Sequence, residues 1–141
     1  MTRFFIAGIA ALFLATGAAR ADDFESFPEI LQGGWCISLS ESTETRIILH
    51  PEDSCEHNGG LISITTSRYF GSKFDCGLDT LTEIEPAKQI EERSAASALY
   101  HVYGACASEG PAWTDFTIQR IDHFYGYEED EDLVINLSTQ G

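Results

Sequence analysis

The side chains able to do chemistry in this 141-residue chain are four cysteines, four histidines and a large surplus of carboxylates. Their spacing decides which chemistry is open. Cys36, Cys55, Cys76 and Cys106 contain no Cys-x-x-Cys pair, which argues against a zinc knuckle or a thioredoxin-type redox centre. His50, His57, His101 and His123 are scattered, and Cys55-Glu56-His57 is too short a motif to define a metal site, so no metal or cofactor is expected. His101, between Tyr100 and Val102, reads as a hydrogen-bonded structural histidine in a strand. The acidic run Glu128, Glu129, Asp130, Glu131 and Asp132 is the candidate face for a cation or a basic partner. It lacks the Asp-x-Asp-x-Asp-Gly order of a calcium loop, and charge packed this densely predicts a solvated loop. Only proximity to Pro51-Glu52-Asp53 would make it a weak cation site. No Gly-x-Ser-x-Gly elbow ties a serine to a base, and an even set of cysteines leaves no free thiol nucleophile, so the chain is not expected to be an enzyme.

The first residues bear on how those cysteines are used. Met1 to Ala21 carries Arg3, an apolar run from Phe4 to about Ala15, and the small-residue end Ala19-Arg20-Ala21. This is the pattern of a secretory signal cleaved after Ala21, too short for a comfortable membrane span. It predicts a periplasmic or secreted protein, with residues 22–141 as one domain. In an oxidising compartment the four cysteines are best read as two disulfides. Cys36 with Cys55 and Cys76 with Cys106 is favoured, since each bridge would join neighbours in a meander. Each would contribute on the order of 2 to 4 kcal/mol by restricting the unfolded chain.

Charge narrows the partners. The formal net charge is −15, and loss of Arg3 and Arg20 with the leader would leave six bases against 23 acids, a charge of −17. Nucleic acid and anionic membrane surfaces both require a basic face and are excluded. A charged partner would be a cationic protein or peptide, or a divalent ion; a small apolar ligand is the other option.

The remaining chain is punctuated at regular intervals. Phe27 to Gln32 predicts one short helical turn, with Pro28 at its start and Gly33 as its stop. Strands are expected over Trp35–Ser40, Thr45–His50, Leu61–Thr66, Phe74 to about Ile84, Leu99–Ala107, Trp113–Ile121 and Leu133–Ser138. Turns are expected at Glu41–Glu44, Asn58–Gly60, Tyr69–Ser72 and Glu109–Pro111. Pro86 to Ala98 reads as a long loop with at most a turn of helix, and His123 to Asp132 as a second loop. About seven or eight short strands at this spacing predict an all-β fold, a small antiparallel up-and-down barrel or sandwich.

Gly33, Gly34 and Trp35 mark where it starts: glycines permit a tight or positive-φ backbone, and the indole can bury a large apolar surface. A short turn, then Gly-x-Trp, then a strand, over Pro28 to Leu39, resembles the start of lipocalin-like barrels and of small secreted bacterial protease-inhibitor barrels. The resemblance implies the barrel type; a ligand or target does not follow from it. Two function classes result: an exported barrel that binds an unidentified ligand or protein, and an inhibitor of an exported protease or of a basic lysozyme-like enzyme. A carrier should show an open, aromatic-lined interior. An inhibitor should show a protruding loop or a free N-terminal arm, for which Asp22 to Phe27 is the candidate.

Overall fold

A computed structural model of the chain describes residues 23–54, 58–107, 111–125 and 128–138. Eleven strands form one antiparallel sheet: β1 (Asp23–Phe24), β2 (Gly33–Ser38), β3 (Arg46–Pro51), β4 (Asn58–Ile64), β5 (Arg68–Phe70), β6 (Asp75–Glu85), β7 (Lys88–Glu91), β8 (Ser94–Ala96), β9 (Leu99–Cys106), β10 (Asp115–Tyr125) and β11 (Glu128–Leu137). Eight of them close into a barrel in the order β2, β3, β11, β10, β9, β6, β5, β4 and back to β2. Closure leaves these eight without a free edge. The all-β barrel expected from the spacing of strands and turns is therefore what the chain forms. Its order departs from a plain meander at one place, where β2 lies between β3 and β4. The segment that crosses back begins with a 3-10 turn, Glu52–Ser54, packed against β2.

Alternation explains the core. Trp35, Leu49, Ile62, Ile64, Tyr69, Leu81, Val102, Phe116, Ile118, Leu133 and Ile135 come from all eight barrel strands and meet in one buried cluster. Tyr69 is the largest fully buried side chain, and its hydroxyl donates to the Trp113 carbonyl. Burial of that phenol pushes its pKa well up. One end of the barrel is capped by the 3-10 turn Glu29–Leu31, with Leu31 fully buried and Trp35 Nε1 donating to its carbonyl at 3.1 Å. At another place Phe74 stacks on Trp113, ring centroids 4.3 Å apart, against the same core. Gly33, flagged for its place before Trp35, has φ +127°, a conformation that favours glycine.

Several expectations need correction. Pro86 to Ala98 is not a loop or helix but the hairpin β7–β8, which continues the sheet along β10 beyond the end of β9. His123 to Asp132 is not a solvated loop either: β10 runs to Tyr125 and β11 begins at Glu128, in unbroken register from Phe116↔Leu137 to Tyr125↔Glu128. Carboxylates have poor strand propensity, but a long ladder and cationic partners outweigh it. Asn58–Gly60 opens β4 instead of forming a turn, and of the reversal expected at Tyr69–Ser72 the first two residues lie in β5 while the turn runs from Gly71 to Phe74, closed by the Gly71 N–H donating to the Phe74 carbonyl at 2.9 Å. Leu39 lies past the end of β2 and is 66% exposed. The expected N-terminal arm is docked: Asp23 and Phe24 pair with Thr82 and Leu81, and Phe27 is buried.

Cys76 and Cys106 sit opposite each other in the β6–β9 ladder and are disulfide-bonded, Cα atoms 4.0 Å apart. Cys36 is buried in β2 and is not a free thiol; its expected partner, Cys55, lies outside the described residues. Among the described residues no helix is long and apolar enough to cross a membrane.

Two stability measurements follow. The Cys76–Cys106 bridge spans 30 residues, and chain-entropy arithmetic for such a loop gives about 3 to 4 kcal/mol. Reductant, or Cys76→Ala with Cys106→Ala, should lower Tm markedly; unchanged Tm would show that the bridge adds nothing. Gly104 is the second case, since a Cβ there would meet the Tyr69 hydroxyl and the Gly77 carbonyl, both fixed in the barrel wall. Gly104→Ala should destabilise by about 1 to 3 kcal/mol, whereas Gly77→Ala, whose Cβ meets nothing within 4 Å, should be tolerated.

Candidate functional site

The strand period of two splits the acidic run between two faces of the barrel. Leu133 and Ile135 of β11 point into the core, so Glu131 shares their side and Asp130 and Asp132 lie on the outer face. Glu131 Oε2 accepts from Arg120 Nη2 at 2.9 Å, and Arg120 also donates to Asp122 at 2.8 Å and to the Ile30 carbonyl at 3.0 Å. That cation ties β10, β11 and the capping turn together at the end of the barrel. Glu128 and Glu129 begin β11, paired with Tyr125 and Phe124. Glu131 faces away from Asp130 and Asp132, so these three carboxylates do not converge on a single cation. Among the described residues no group of three donors is placed to hold a metal ion.

Asp132 is where the outer face becomes chemical. The β3–β11 register, Leu133↔Leu49, puts His50 beside Asp132, and the β10–β11 register places Ile121 opposite Asp132 and His123 opposite Asp130. Asp132 Oδ1 is 2.8 Å from His50 Nδ1, and Asp132 Oδ2 is 3.3 Å from His123 Nε2. On the far side of His50, Nε2 lies 2.6 Å from Glu41 Oε1, in the turn between β2 and β3. Ser94 of β8 extends the chain, its Oγ 3.1 Å from His123 Nδ1 and 3.3 Å from Glu91 Oε1. Two histidines far apart in sequence are thus clipped to one carboxylate, a convergence that sequence reasoning missed. The available signal was their phase: His50 is out of step with core Leu49, and Asp132 with core Leu133.

Both ring nitrogens of His50 face carboxylate oxygens within hydrogen-bonding distance. Only the doubly protonated imidazolium can donate to both. Partial burial alone would lower the His50 pKa, but the hydrogen bond to Glu41 and the charges of Asp132 and Glu41 outweigh it and hold the pKa above its ordinary value. In turn the hydrogen bonds from His50, and then from Ser38, hold the Glu41 carboxyl below its ordinary value.

These groups stand at the edge of a groove of about 460 Å³ lined by Glu41, Arg46, Ile48, Ile90, Ile121, His123, Asp132 and Val134. Its floor is three strands of the barrel wall. One flank is the β2–β3 turn, anchored where Ser42 Oγ accepts from the Ile48 backbone N–H at 2.9 Å. The other is the β7–β8 hairpin, where a register shift between Gln89 and Glu91 marks a bulge at Ile90. Ser94, His123 and Asp132 have the composition of a hydrolytic triad but not its access. Ser94 is 6% exposed, and its hydroxyl is shared between His123 and Glu91. His101 is a separate structural pair, its Nε2 2.6 Å from Asp115 Oδ1.

The Glu41–His50–Asp132 cluster makes stability depend on pH in a definite direction. A raised His50 pKa contributes stability that is fully present below about 6.5, the unfolded value, and is lost as pH rises through the folded value. A lowered Glu41 pKa contributes stability present above about 4.5 and lost as pH falls through its folded value. The Tm difference between wild type and His50→Gln should therefore be largest between these limits and shrink at alkaline pH. A gap independent of pH would mean that His50 acts by packing alone. Comparison of the chain with protein families, curated proteins and solved structures finds no match, so the functional reading rests on the chemistry of this site.

Proposed function

We propose that this is an exported binding protein, without catalytic chemistry, that recognises a basic protein partner on the outside of its barrel. The observation that carries the reading is the filled interior. Leu31, Leu49, Ile62, Tyr69, Leu81, Ile118, Leu133 and Ile135 are all under 2% exposed and occupy the space a lipocalin-type cargo would need. Recognition then falls to the outer surface, and a chain with 23 acids and eight bases favours a cationic partner. Export accords with the N-terminal leader pattern and with the Cys76–Cys106 bridge, which belongs to an oxidising compartment. The N-terminal candidate arm pairs with β6 at Asp23 and Phe24, which counts against its being a free inhibitory arm. Inhibition of a basic lysozyme-like enzyme by surface occlusion is a special case of the same reading.

A basic lysozyme is the first probe. Titration calorimetry with the oxidised protein should show binding at low salt that weakens strongly at high salt, with lysozyme activity reporting whether its cleft is covered. An apolar fluorophore should gain no emission from the lumen. Fluorophore uptake that a core substitution at Ile118 changes, without lysozyme binding, would overturn the proposal in favour of a carrier.

A further inference from the structure

The outer groove carries more than a general acidic surface. Ile48, Ile121 and Val134 give it an apolar floor, Ile90 overhangs one flank, and its polar lining is Glu41 and Asp132 together with Arg46 and His123. Asp132 Oδ1 is shut off from solvent, and its neighbour is the His50 ring nitrogen. Its charge is therefore balanced by a side chain of the same protein that can lose its proton near neutral pH.

We infer that this groove receives a lysine or arginine side chain flanked by an apolar residue of the partner, and that the incoming cation takes the place of His50 between Glu41 and Asp132. The apolar neighbour would cover Ile48, Ile121 and Val134. Charge complementarity selects the occupant: Glu41 and Asp132 share the His50 imidazolium, so a permanent cation can replace it between them, whereas an anionic segment would be repelled. This inference rests on the outer-surface reading above and names the place and the side chain.

Proton competition follows directly. Below the His50 pKa the imidazolium already fills the seat; above it His50 no longer supplies positive charge there, and the partner's cation enters without that rival. The groups around His50 are Glu41 on the turn, Arg46 on the same face of β3, Asp130 and Asp132 on β11, His123 on β10, and Glu91 on the β7–β8 hairpin. Among these, the histidines are the side chains whose ordinary pKa falls between pH 6 and pH 8, roughly. Tighter binding across that range accordingly reports release of a proton from the cluster.

The test uses a short peptide alternating lysine and valine, with blocked ends so that none of its own groups titrates in that range. Its affinity for the oxidised protein should rise about tenfold from pH 6 to pH 8, and binding at the lower pH should release protons to the buffer. Loss of the rival cation in His50→Gln should strengthen binding at the lower pH and flatten the profile, a gain that a merely structural histidine would not give. Asp132→Asn and Glu41→Gln should each weaken binding, and two variants guard against one that misfolds. His101→Gln, away from the groove, should match the wild type. A flat pH profile with unchanged affinity in His50→Gln and Asp132→Asn would overturn the groove assignment. Lysozyme binding without peptide binding would overturn it too, while leaving the outer-surface reading intact; absence of both would overturn both.

Discussion

The β3–β11 ladder is the interaction on which the rest of the molecule depends. It joins the first hairpin to the last strand and so turns an open sheet into a ring. The same four residue pairs have two faces. Inward, they bring Leu49 against Leu133 and place Ile47 beside Ile135, closing the core. Outward, the next step of the ladder brings His50 to Asp132 and lays Ile48 beside Val134 as a groove floor. Since one residue of slippage would exchange the faces, the apolar core fixes the register, and the register fixes the polar cluster. The site is a by-product of closure in geometry, though not in chemistry.

That dependence explains what the amino-acid order reveals and what it conceals. Alternation at Trp35 and Ile37, at Phe74, Cys76 and Leu78, and at Leu133, Ile135 and Leu137 is local, so strands and the barrel class are legible from it. The pairing of Cys76 with Cys106 is legible for the same reason, being a contact between neighbours in the ring. The crossing of the chain over β2, which sets β3 free to meet β11, is a long-range choice that no local pattern states. The hairpin β7–β8 is hidden for another reason: its first strand is exposed throughout and carries lysine, glutamine and glutamate, so it shows no apolar period to detect. Its stability comes from the β10 edge it extends and from Ser97, whose Oγ accepts from the Arg120 backbone N–H at 3.0 Å.

The acidic run illustrates how composition misleads when partners are out of view. Five consecutive carboxylates have every mark of a solvated loop, yet they open the longest ladder in the barrel. Cross-strand cations offset the repulsion at Glu131 and Asp132. Arg120 answers Glu131 on one side of the strand; His50 and His123 answer Asp132 on the other. Neither set is close in sequence to the acids it balances, so only the fold makes the run tolerable.

The two sides differ in the kind of cation chosen, and the difference is functional in its consequences. Arginine keeps its charge at every pH the protein can meet, so the Arg120 cluster that binds the capping turn to β10 and β11 is a permanent fixture. Imidazole charge is conditional, so His50 can donate to both Glu41 and Asp132 only while it is protonated. A structural role alone would be served as well by a second arginine at position 50, which would bridge Glu41 and Asp132 without regard to pH. A histidine there makes the bridge between the two carboxylates sensitive to pH, beside the apolar floor of Ile48, Ile121 and Val134. The use of a titratable cation outside and a permanent one at the capped end therefore separates the part of the acidic run whose counterion is fixed from the part whose counterion depends on pH, and it is on the second part that the proposed exchange with a partner's cation rests.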